Sequence, residues 1–374
     1  MLPRVFGVWY NANVGLNSFQ TSGNSPGHAD RCRVGILGFG AHGAAVARRL
    51  TAPDRPGAVA LSLICDRRAR EQRSRQPDAI AELSWTDRFD DLLASDIDVL
   101  IETLPGSEPA VDYVRAALLA GKSVVTGSKQ VIAHHGPALL SLAERQGRQL
   151  RYEAAVGGAM PLVRTLGESL AGDRVLRIDA VLNATSNAVL SIMEATGCSI
   201  DEGIAEACAL GIAEADPSHD LDGADAAAKL AIVCALAFGV RVLPAAIETR
   251  TTARVDAQQL TAARLRGGRI RQVAHAAYDS GQGRLSAWVA PIVVPQESLL
   301  ARVDGPQNAA VVSCAHAGDL TVTGRGAGAD AIAVAILGDV LTIARDRAAI
   351  VPAPVLAPPR TVTGFSDSEL AEAV

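Results

Sequence analysis

Long basic runs and long hydrophobic runs are both missing from this chain, and each absence excludes a class of partner. The 374 residues carry a formal net charge of −5, so nucleic acid is not expected as the main partner. The most apolar stretch, residues 228–240, is too short to span a membrane and contains Lys229. Residues 1–30 lack the apolar core of a signal peptide and are predicted to be a flexible extension, with an over-long start to the reading frame as the alternative.

Cysteines at paired metal-binding spacings are missing as well. The six cysteines lie far apart, at positions 32, 65, 198, 208, 234 and 314, which predicts reduced, mostly buried thiols in a cytoplasmic protein. Hydrophobic residues make up 49% of the chain and charged residues 20%, which is the balance of a globular protein. The length allows two domains with a large core.

A glycine turn near the start of the sequence indicates a dinucleotide site. Gly38, Gly40 and Gly43 follow a short apolar stretch in the pattern G-x-G-x-x-G, and a second apolar strand, Val59–Cys65, comes later. The first glycine allows a tight turn, the second lets the backbone around Phe39 approach a pyrophosphate, and the third permits close packing of helix and strand. The alternative is a glycine-rich turn that binds no ligand.

The residues after the second strand bear on the choice of dinucleotide. Asp66 is placed to accept hydrogen bonds from the adenine ribose, which favours NAD. Arg67 and Arg68 follow directly and could hold a 2′-phosphate, which favours NADP. The sequence leaves both open, and two ordinary loop arginines are an equally good interpretation.

Strands and helices continue to alternate up to Glu153 and predict a doubly wound parallel sheet of the α/β class. The further predicted elements are strands at Asp98–Thr103, Ser123–Thr126 and Leu150–Glu153 and helices at Pro109–Ala120 and Gly136–Gln146. Ligands of such sheets bind at the carboxyl ends of the strands, where Thr103 and Lys129 lie. Lys129 is therefore predicted to reach the nicotinamide or the substrate, with an ordinary loop lysine as the alternative.

A run of spaced charges in the second half of the chain indicates proton-transfer chemistry. Five acids precede one lysine, in the order Glu214, Asp216, Asp220, Asp222, Asp225 and Lys229. The apolar composition after Gly223 predicts a helix on which Asp225 and Lys229 are i,i+4 neighbours. An acid and an ammonium in a dry cleft suit proton transfer, because burial and pairing set their pKa values. The alternative is an exposed salt bridge of little consequence.

Six stretches match one family in order. They are Gly38–Gly43, Gly121–Lys129, Tyr152–Pro161, Asn183–Asn187, Gly211–Pro217 and Asp220–Lys229. From about residue 33 to about residue 346, the chain therefore resembles the homoserine dehydrogenases. The resemblance implies a Rossmann-type domain plus an α+β catalytic and dimerisation domain, NAD(P)H as cofactor, and a homodimer. It also implies that the enzyme acts on a small amino-acid substrate and interconverts L-aspartate 4-semialdehyde and L-homoserine.

The resemblance assigns roles to residues by motif. It implies that Lys229 protonates the carbonyl oxygen during hydride delivery, and that Asp225 orients Lys229 or binds the substrate ammonium. Lys129 would lie beside the nicotinamide and the substrate. Glu214 and Asp220 would hold the ammonium or the hydroxyl of the amino acid.

Two further features of the family map onto this chain. A monovalent cation, usually sodium, would bind at Glu153, Val156, Gly158 and Met160, in part through backbone oxygens, although a purely structural turn has the same sequence. A glycine loop that includes Gly326 would close near the cofactor.

Some positions depart from the residues usual in the family. They are Gly127, Ser128, Ala159, Met160, Ala184 and Ile212. All map to the rim of the substrate or cofactor site, and none removes the acid/base set. The sequence therefore predicts dehydrogenase chemistry, with two alternatives: a relative that acts on another amino-acid aldehyde or amino alcohol, and a non-catalytic dinucleotide sensor.

The predicted domains follow from these motifs. After the extension at 1–30 come a dinucleotide-binding domain at 31–150, a substrate-binding and dimerisation domain at 151–310, a return segment at 311–348 that packs on the first domain, and a tail at 349–374. Strands at Ile270–Tyr278 and Leu285–Val294 supply the second domain's sheet, and Ala329–Arg345 is the final helix. The tail leaves no room for the regulatory amino-acid-binding domain of many relatives, so inhibition by threonine through such a domain is not expected.

Overall fold

The structure is a computed structural model that describes residues 31–214, 216–346 and 356–364. The predicted extension at residues 1–30 lies outside the described residues. Two sheets organise the chain, one of six strands and one of seven. Within the described ranges, no helix is long and apolar enough to cross a membrane.

The first sheet is parallel and has the strand order β3-β2-β1-β4-β5-β6. Its strands are β1 (Cys32–Leu37), β2 (Val59–Cys65), β3 (Ser84–Thr86), β4 (Val99–Glu102), β5 (Ser123–Thr126) and β6 (Leu150–Arg151). Its helices are α1 (Ala41–Thr51), α2 (Ala69–Ser74), α3 (Asp78–Ala81), α4 (Phe89–Ala94), α5 (Ala110–Leu119) and α6 (Lys129–Arg145). The strand order reverses between β1 and β4, which opens a crevice at their carboxyl ends. The predicted doubly wound sheet is confirmed.

Helix α6 begins seven residues before the predicted start at Gly136. Ser128 caps it, because the Ser128 Oγ accepts a hydrogen bond from Val131 N at 3.3 Å, and serine is a favoured N-cap. Pro137, one residue after the predicted start, lies inside the helix. Lys129 is therefore the first residue of a long helix and not a loop residue.

The second sheet is mixed and has the order β12-β11-β7-β9-β10-β13, with β8 paired to β10. Its strands are β7 (Val175–Val181), β8 (Glu248–Thr249), β9 (Gly268–Asp279), β10 (Arg284–Pro295), β11 (Gln307–Cys314), β12 (Asp319–Arg325) and β13 (Thr361–Thr363). The remaining helices are α7 (Leu162–Arg164), α8 (Ala184–Thr196), α9 (Ile200–Ala209), α10 (Ser218–Leu221), α11 (Ala224–Phe238), α12 (Ala257–Leu265) and α13 (Ala329–Arg345). The antiparallel hairpin of β9 and β10 contains both strands predicted for this sheet and extends beyond each.

The predicted return segment at 311–348 divides between the two sheets. The boundary at residue 310 falls inside β11, which pairs with β7 and β12 in the second sheet. Only the part that forms α13 packs on the first domain, where it lies against α1 and the core around β1. The buried side chains of Ala310 and Val312 explain why β11 stays with the second sheet, since they belong to its core.

Part of the predicted tail is also a strand. Strand β13 pairs in parallel with β10, with Val362 opposite Leu285. Just before it, Ala357 bridges to Val240, which follows the end of α11. Three strand residues beside a proline-rich stretch show no alternating pattern, so sequence reasoning had no signal for this strand.

Candidate active site

Three charged side chains meet where α11 of the second domain packs against α6 of the first. Lys229 Nζ lies 2.7 Å from Asp225 Oδ2, and Lys129 Nζ lies 2.8 Å from Asp225 Oδ1. The Asp225 side chain is 9% exposed and that of Lys229 is 12% exposed. The pair predicted from i,i+4 spacing is thus present and mostly buried, and a second lysine reaches it from the other domain.

The start of α11 explains how these groups come together. Gly223 precedes the helix with φ of +82°, and a Cβ there would press on Val289 and Thr249. Glycine therefore lets the chain turn sharply against the sheet and place Asp225 in the first helical turn. One turn later, Lys229 Nζ donates a hydrogen bond to the Leu182 carbonyl at 2.8 Å, which fixes the ammonium on a second side.

Asn183 joins a second carboxylate to this cluster. Its Nδ2 donates hydrogen bonds to Asp220 Oδ1 at 2.6 Å and to Asp225 Oδ2 at 3.0 Å. Its Oδ1 accepts a hydrogen bond from Ser186 N at 2.7 Å, which caps α8. The cap fixes the amide group, so Asn183 holds the two carboxylates in place. Asn183 belongs to the motif Asn183–Asn187, but the sequence alone does not predict that it binds these two carboxylates.

The charges of the cluster set its protonation. Burial alone would raise the pKa of the Asp225 carboxyl, but the ammonium groups of Lys229 and Lys129 outweigh burial and hold that pKa below its usual range. The charge of Asp225 raises the pKa of Lys129. Burial, followed by the charge of Asp225, raises the pKa of Asp220. The site therefore contains an ionised acid between two ammonium groups, beside an acid that accepts a proton more readily.

Glu214 lies at the edge of this cluster. It is exposed, in the segment before α10. Its charge is among those that raise the pKa of Lys129, so it lies near enough to act on the cluster electrostatically. Among the acids predicted to act in the site, Asp225 is thus buried, Asp220 is half-buried and Glu214 is exposed.

A cleft at the carboxyl ends of β1, β2 and β4 brings together most of the residues predicted to bind a dinucleotide. Those lining it are Gly38, Phe39, Gly40, Asp66, Arg67 and Thr103. Glu108 and Tyr113 also line the cleft and were not predicted from the sequence. They follow β4 or lie on α5 and carry no motif of their own.

The glycine turn fits the backbone of a bound pyrophosphate. A Cβ on Gly43 would collide with the Gly38 carbonyl oxygen, whereas a Cβ on Gly40 would meet nothing within 4 Å. Gly43 is therefore needed for packing, and Gly40 leaves space in front of the start of α1. The Thr103 hydroxyl, directly after β4, donates a hydrogen bond to the Gly38 carbonyl at 2.9 Å and so supports the glycine turn.

Backbone amides hold Asp66 at the rim of this cleft. Its Oδ2 accepts a hydrogen bond from Phe39 N, and its Oδ1 accepts one from Arg68 N, both at 2.8 Å. The carboxylate is therefore fixed between the glycine turn and the loop after β2. Arg67 and Arg68 are exposed at the same rim.

The predicted cation turn begins in a 3₁₀ helix at Glu153–Ala155, because β6 ends two residues earlier than predicted, at Arg151. The Glu153 carboxylate accepts hydrogen bonds from Val163 N and Arg164 N, both at 2.9 Å. Burial and the nearby Asp339 raise the pKa of Glu153 to about 7. Its side chain thus faces the start of α7, and its backbone carbonyl accepts a hydrogen bond from Val156 N at 3.4 Å.

The predicted glycine loop contacts this turn. Gly158 has φ of +63°, and a Cβ on it would press on the carbonyl oxygens of Arg325 and Gly326. Ala159 N donates to the Arg325 carbonyl at 2.9 Å. The structure therefore places Gly326 beside the cation turn, and Gly326 is not among the residues that line the dinucleotide cleft.

Comparisons with known proteins match both halves of the chain. A family model described as homoserine dehydrogenase covers residues 161–341, and one described as homoserine dehydrogenase, NAD binding domain, covers residues 38–153. The chain belongs to the homoserine dehydrogenase family. It is therefore an oxidoreductase that acts on a CH–OH group of a small molecule and uses a nicotinamide dinucleotide.

Relatives from several organisms support this assignment. The homoserine dehydrogenase of Mycobacterium tuberculosis is 37% identical over 328 residues, which are 86% of this chain and 74% of the relative. That of Corynebacterium glutamicum is 36% identical over 340 residues, or 87% and 74% of the two chains. Sequence reasoning reached this family from motif order alone.

Solved structures agree with these relatives. The crystal structure of a homoserine dehydrogenase from Thiobacillus denitrificans has a TM-score of 0.79 and 29% identity, over 88% of this chain and 79% of that one. A hyperthermophilic archaeal homoserine dehydrogenase in complex with NADPH has a TM-score of 0.70 and 27% identity, over 87% and 99%.

Proposed function

We propose that this chain interconverts L-aspartate 4-semialdehyde and L-homoserine with Lys229 as the acid/base. The observation that carries the proposal is the ionised Asp225 between Lys229 and Lys129, at the join of the two domains. Reduction of an aldehyde needs a hydride donor and a proton donor close together. The cleft at the carboxyl end of β1 supplies the binding site of the hydride donor, and α11 supplies the proton donor.

A bound dinucleotide carries the hydride. Lys229 holds a proton at Nζ, oriented by Asp225 and by the Leu182 carbonyl, and gives it to the oxygen that gains negative charge during reduction. In the oxidative direction, the same Nζ takes the hydroxyl proton. Lys129 adds a second positive charge beside that oxygen and the nicotinamide.

The acids next to the two lysines suit the ammonium group of an amino acid. We assign Asp220 and Glu214 to this group, because Asp220 is held by Asn183 and Glu214 lies exposed at the edge of the cluster. The positive side of the cluster then faces the reacting oxygen, and the negative side faces the ammonium.

Steady-state absorbance of the reduced nicotinamide tests the reaction. We expect turnover with L-homoserine and at least one of NAD and NADP. A panel of other amino alcohols, assayed in parallel, would reveal a different preferred substrate. Binding of the dinucleotide without turnover of any of them would contradict the proposal and favour a sensor.

We further propose that NAD is preferred over NADP. The Asp66 carboxylate is fixed by Phe39 N and Arg68 N at the rim where the adenine ribose binds. It can accept hydrogen bonds from a ribose diol and repels a 2′-phosphate. The ratio of kcat/KM for the two dinucleotides tests this, and a higher value with NADP would overturn it.

The family's monovalent cation has a suitable site in this chain. We assign it to the backbone carbonyls of Glu153, Val156, Gly158 and Met160, since oxygen ligands suit such ions. Among the described residues, no group of three or more His, Cys, Asp and Glu side chains could hold a metal. Thermal unfolding in sodium chloride and in choline chloride tests the site, with a higher midpoint expected in sodium. Equal midpoints would contradict it.

We also propose a homodimer, formed through the face of the second sheet that carries Arg177, Asp179 and Val311. The Arg177 side chain is 52% exposed on this face. Val311 of β11 is partly exposed and stands opposite Asp179 of β7. Light scattering should give twice the mass of one chain, and Val311→Arg should give a monomer. Cys65, Cys198, Cys208, Cys234 and Cys314 are free thiols, in keeping with the cytoplasm as the proposed location.

A further inference from the structure

A fully buried glutamate lies outside the roles assigned so far. Glu102 is the last residue of β4 and is 0% exposed. It stands opposite Leu37 of β1 and Thr126 of β5, at the point where the order of the parallel sheet reverses. No cationic side chain of the described residues forms an ion pair with it. A buried carboxyl without a cation is costly, so its contacts need an explanation.

One oxygen of Glu102 reaches the loop that supports the glycine turn. Its Oε1 accepts a hydrogen bond from Leu104 N. The adjacent Thr103 donates from its hydroxyl to the Gly38 carbonyl. Glu102 therefore fixes the loop after β4, on which the glycine turn rests.

The other oxygen reaches the start of α6. The Thr126 hydroxyl donates to Glu102 Oε2 and accepts from Ser128 N at 2.9 Å. Ser128 is the cap of α6, and its hydroxyl donates to the Gly106 carbonyl at 2.9 Å. Lys129 follows directly as the first residue of the helix. The position of Lys129 thus depends on a chain of hydrogen bonds that ends at Glu102.

We propose that Glu102 is a positioning residue that holds Lys129 in place relative to the glycine turn. Glu102 acts through Thr126. This inference rests on the proposed role of Lys129 in the reaction. A carboxylate suits this position because it accepts hydrogen bonds from two donors at once. An apolar residue would leave Leu104 N and the Thr126 hydroxyl buried without a partner.

Variants of Thr126 test the link without creating a cavity at Glu102. Thr126→Val removes the hydroxyl and keeps the shape of the side chain, and Thr126→Ser restores the hydroxyl. Ser123→Ala is the matched control, because it removes a buried hydrogen bond that Gln149 N donates to the Ser123 Oγ at 3.1 Å, at the opposite end of the same strand. Each variant is assayed for kcat and for the Kd of reduced dinucleotide, by nicotinamide fluorescence.

We expect Thr126→Val to lower kcat by about 10- to 100-fold, the order expected when a reacting group is displaced by a fraction of an ångström to an ångström. Its dinucleotide Kd should stay within about threefold, while Thr126→Ser and Ser123→Ala should keep near-normal kcat. Glu102→Gln, which offers one carbonyl in place of two acceptor oxygens, should lower kcat to an intermediate extent.

Two results would overturn the inference. One is a kcat of Thr126→Val no lower than that of Ser123→Ala, and the other is a Thr126→Ser variant as impaired as Thr126→Val. Lys129→Met, measured alongside, separates this inference from the proposed function. If Lys129→Met is inactive while Thr126→Val is normal, only the positioning role of Glu102 fails; if Lys129→Met is active, the role of Lys129 itself is wrong.

Discussion

Asp225 and Glu102 are both buried carboxyls near the join of the domains, and their surroundings shift their pKa values in opposite directions. Two ammonium groups hold the pKa of Asp225 below its usual range despite burial. Glu102 has only neutral donors, and burial raises its pKa to about 7. For these two buried carboxyls, the presence or absence of two paired ammonium groups decides the direction in which the pKa moves. Asp225 therefore suits a role that needs a fixed negative charge, and Glu102 suits a role as a hydrogen-bond acceptor.

Removal of one cation from the Asp225 cluster should have the largest effect. Lys229→Ala takes away the proposed proton donor, so kcat should fall by about 10²- to 10⁴-fold. The dinucleotide Kd, measured by nicotinamide fluorescence, should change by less than about threefold, because the cleft at β1 does not include Lys229. Near-normal kcat in this variant would refute the acid/base assignment.

Neutralisation of the carboxyl itself should affect stability as well as activity. Asp225→Asn leaves two lysines close together without a countercharge, which should lower the free energy of unfolding by about 3 kcal/mol, the size seen when a buried pair is broken. Urea denaturation at neutral pH measures this.

The pH dependence adds a second readout for the same variant. Because the folded pKa of Asp225 lies below its unfolded value, its contribution is present above the usual carboxyl pKa and is lost as the pH falls through the folded pKa. The stability difference between wild type and Asp225→Asn should therefore shrink on acidification. A difference that stays constant would contradict the low pKa.

Asp66 extends the comparison to a carboxylate that backbone amides hold. Asp66→Ser removes the negative charge at the cleft rim and leaves Arg67 and Arg68 there. The ratio of kcat/KM for NAD to kcat/KM for NADP should therefore fall by about tenfold, which is the order of one exposed charge contact. The Lys229→Ala ratio serves as a control for general loss of activity. An unchanged ratio would remove Asp66 from the selection of the dinucleotide.

Glu102 should give a pH dependence of opposite sign to that of Asp225. Its folded pKa is raised, so its contribution is fully present below the unfolded pKa near 4.5 and is lost as the pH rises through about 7. Wild-type stability should thus fall relative to Glu102→Gln over this window, by at most about 1.4 kcal/mol per pH unit. Parallel denaturation curves at several pH values check this, and a constant difference would show that Glu102 does not titrate there.

The sequence was informative where function depends on short spacing. Asp225 and Lys229 were predictable because four residues on a helix bring them together, and Gly43 because its motif has a steric meaning. The parallel sheet followed from alternation, and Val59–Cys65 and Ala329–Arg345 match the structure at both ends.

Other features depend on contacts that no local pattern shows. The hydrogen bond from Thr126 to Glu102 joins residues 24 positions apart, and that from Asn183 to Asp225 joins residues 42 positions apart. The early start of α6 was missed because a single cap at Ser128 outweighs Gly136 and Pro137 farther along the helix. Tertiary contacts of this kind can be seen only once the sheets are assembled.

The contact between Gly158 and the Arg325–Gly326 segment bears on motion between the domains. The chain passes from the first domain to the second near Gly158 and returns near Gly326, so its two crossings lie side by side. Two chain crossings that lie side by side are the arrangement that a hinge between domains requires. The Lys129–Asp225 ion pair bridges the domains where α6 faces α11. It therefore joins the two domains as well as forming part of the charge cluster, and any rotation that separated α6 from α11 would have to break it.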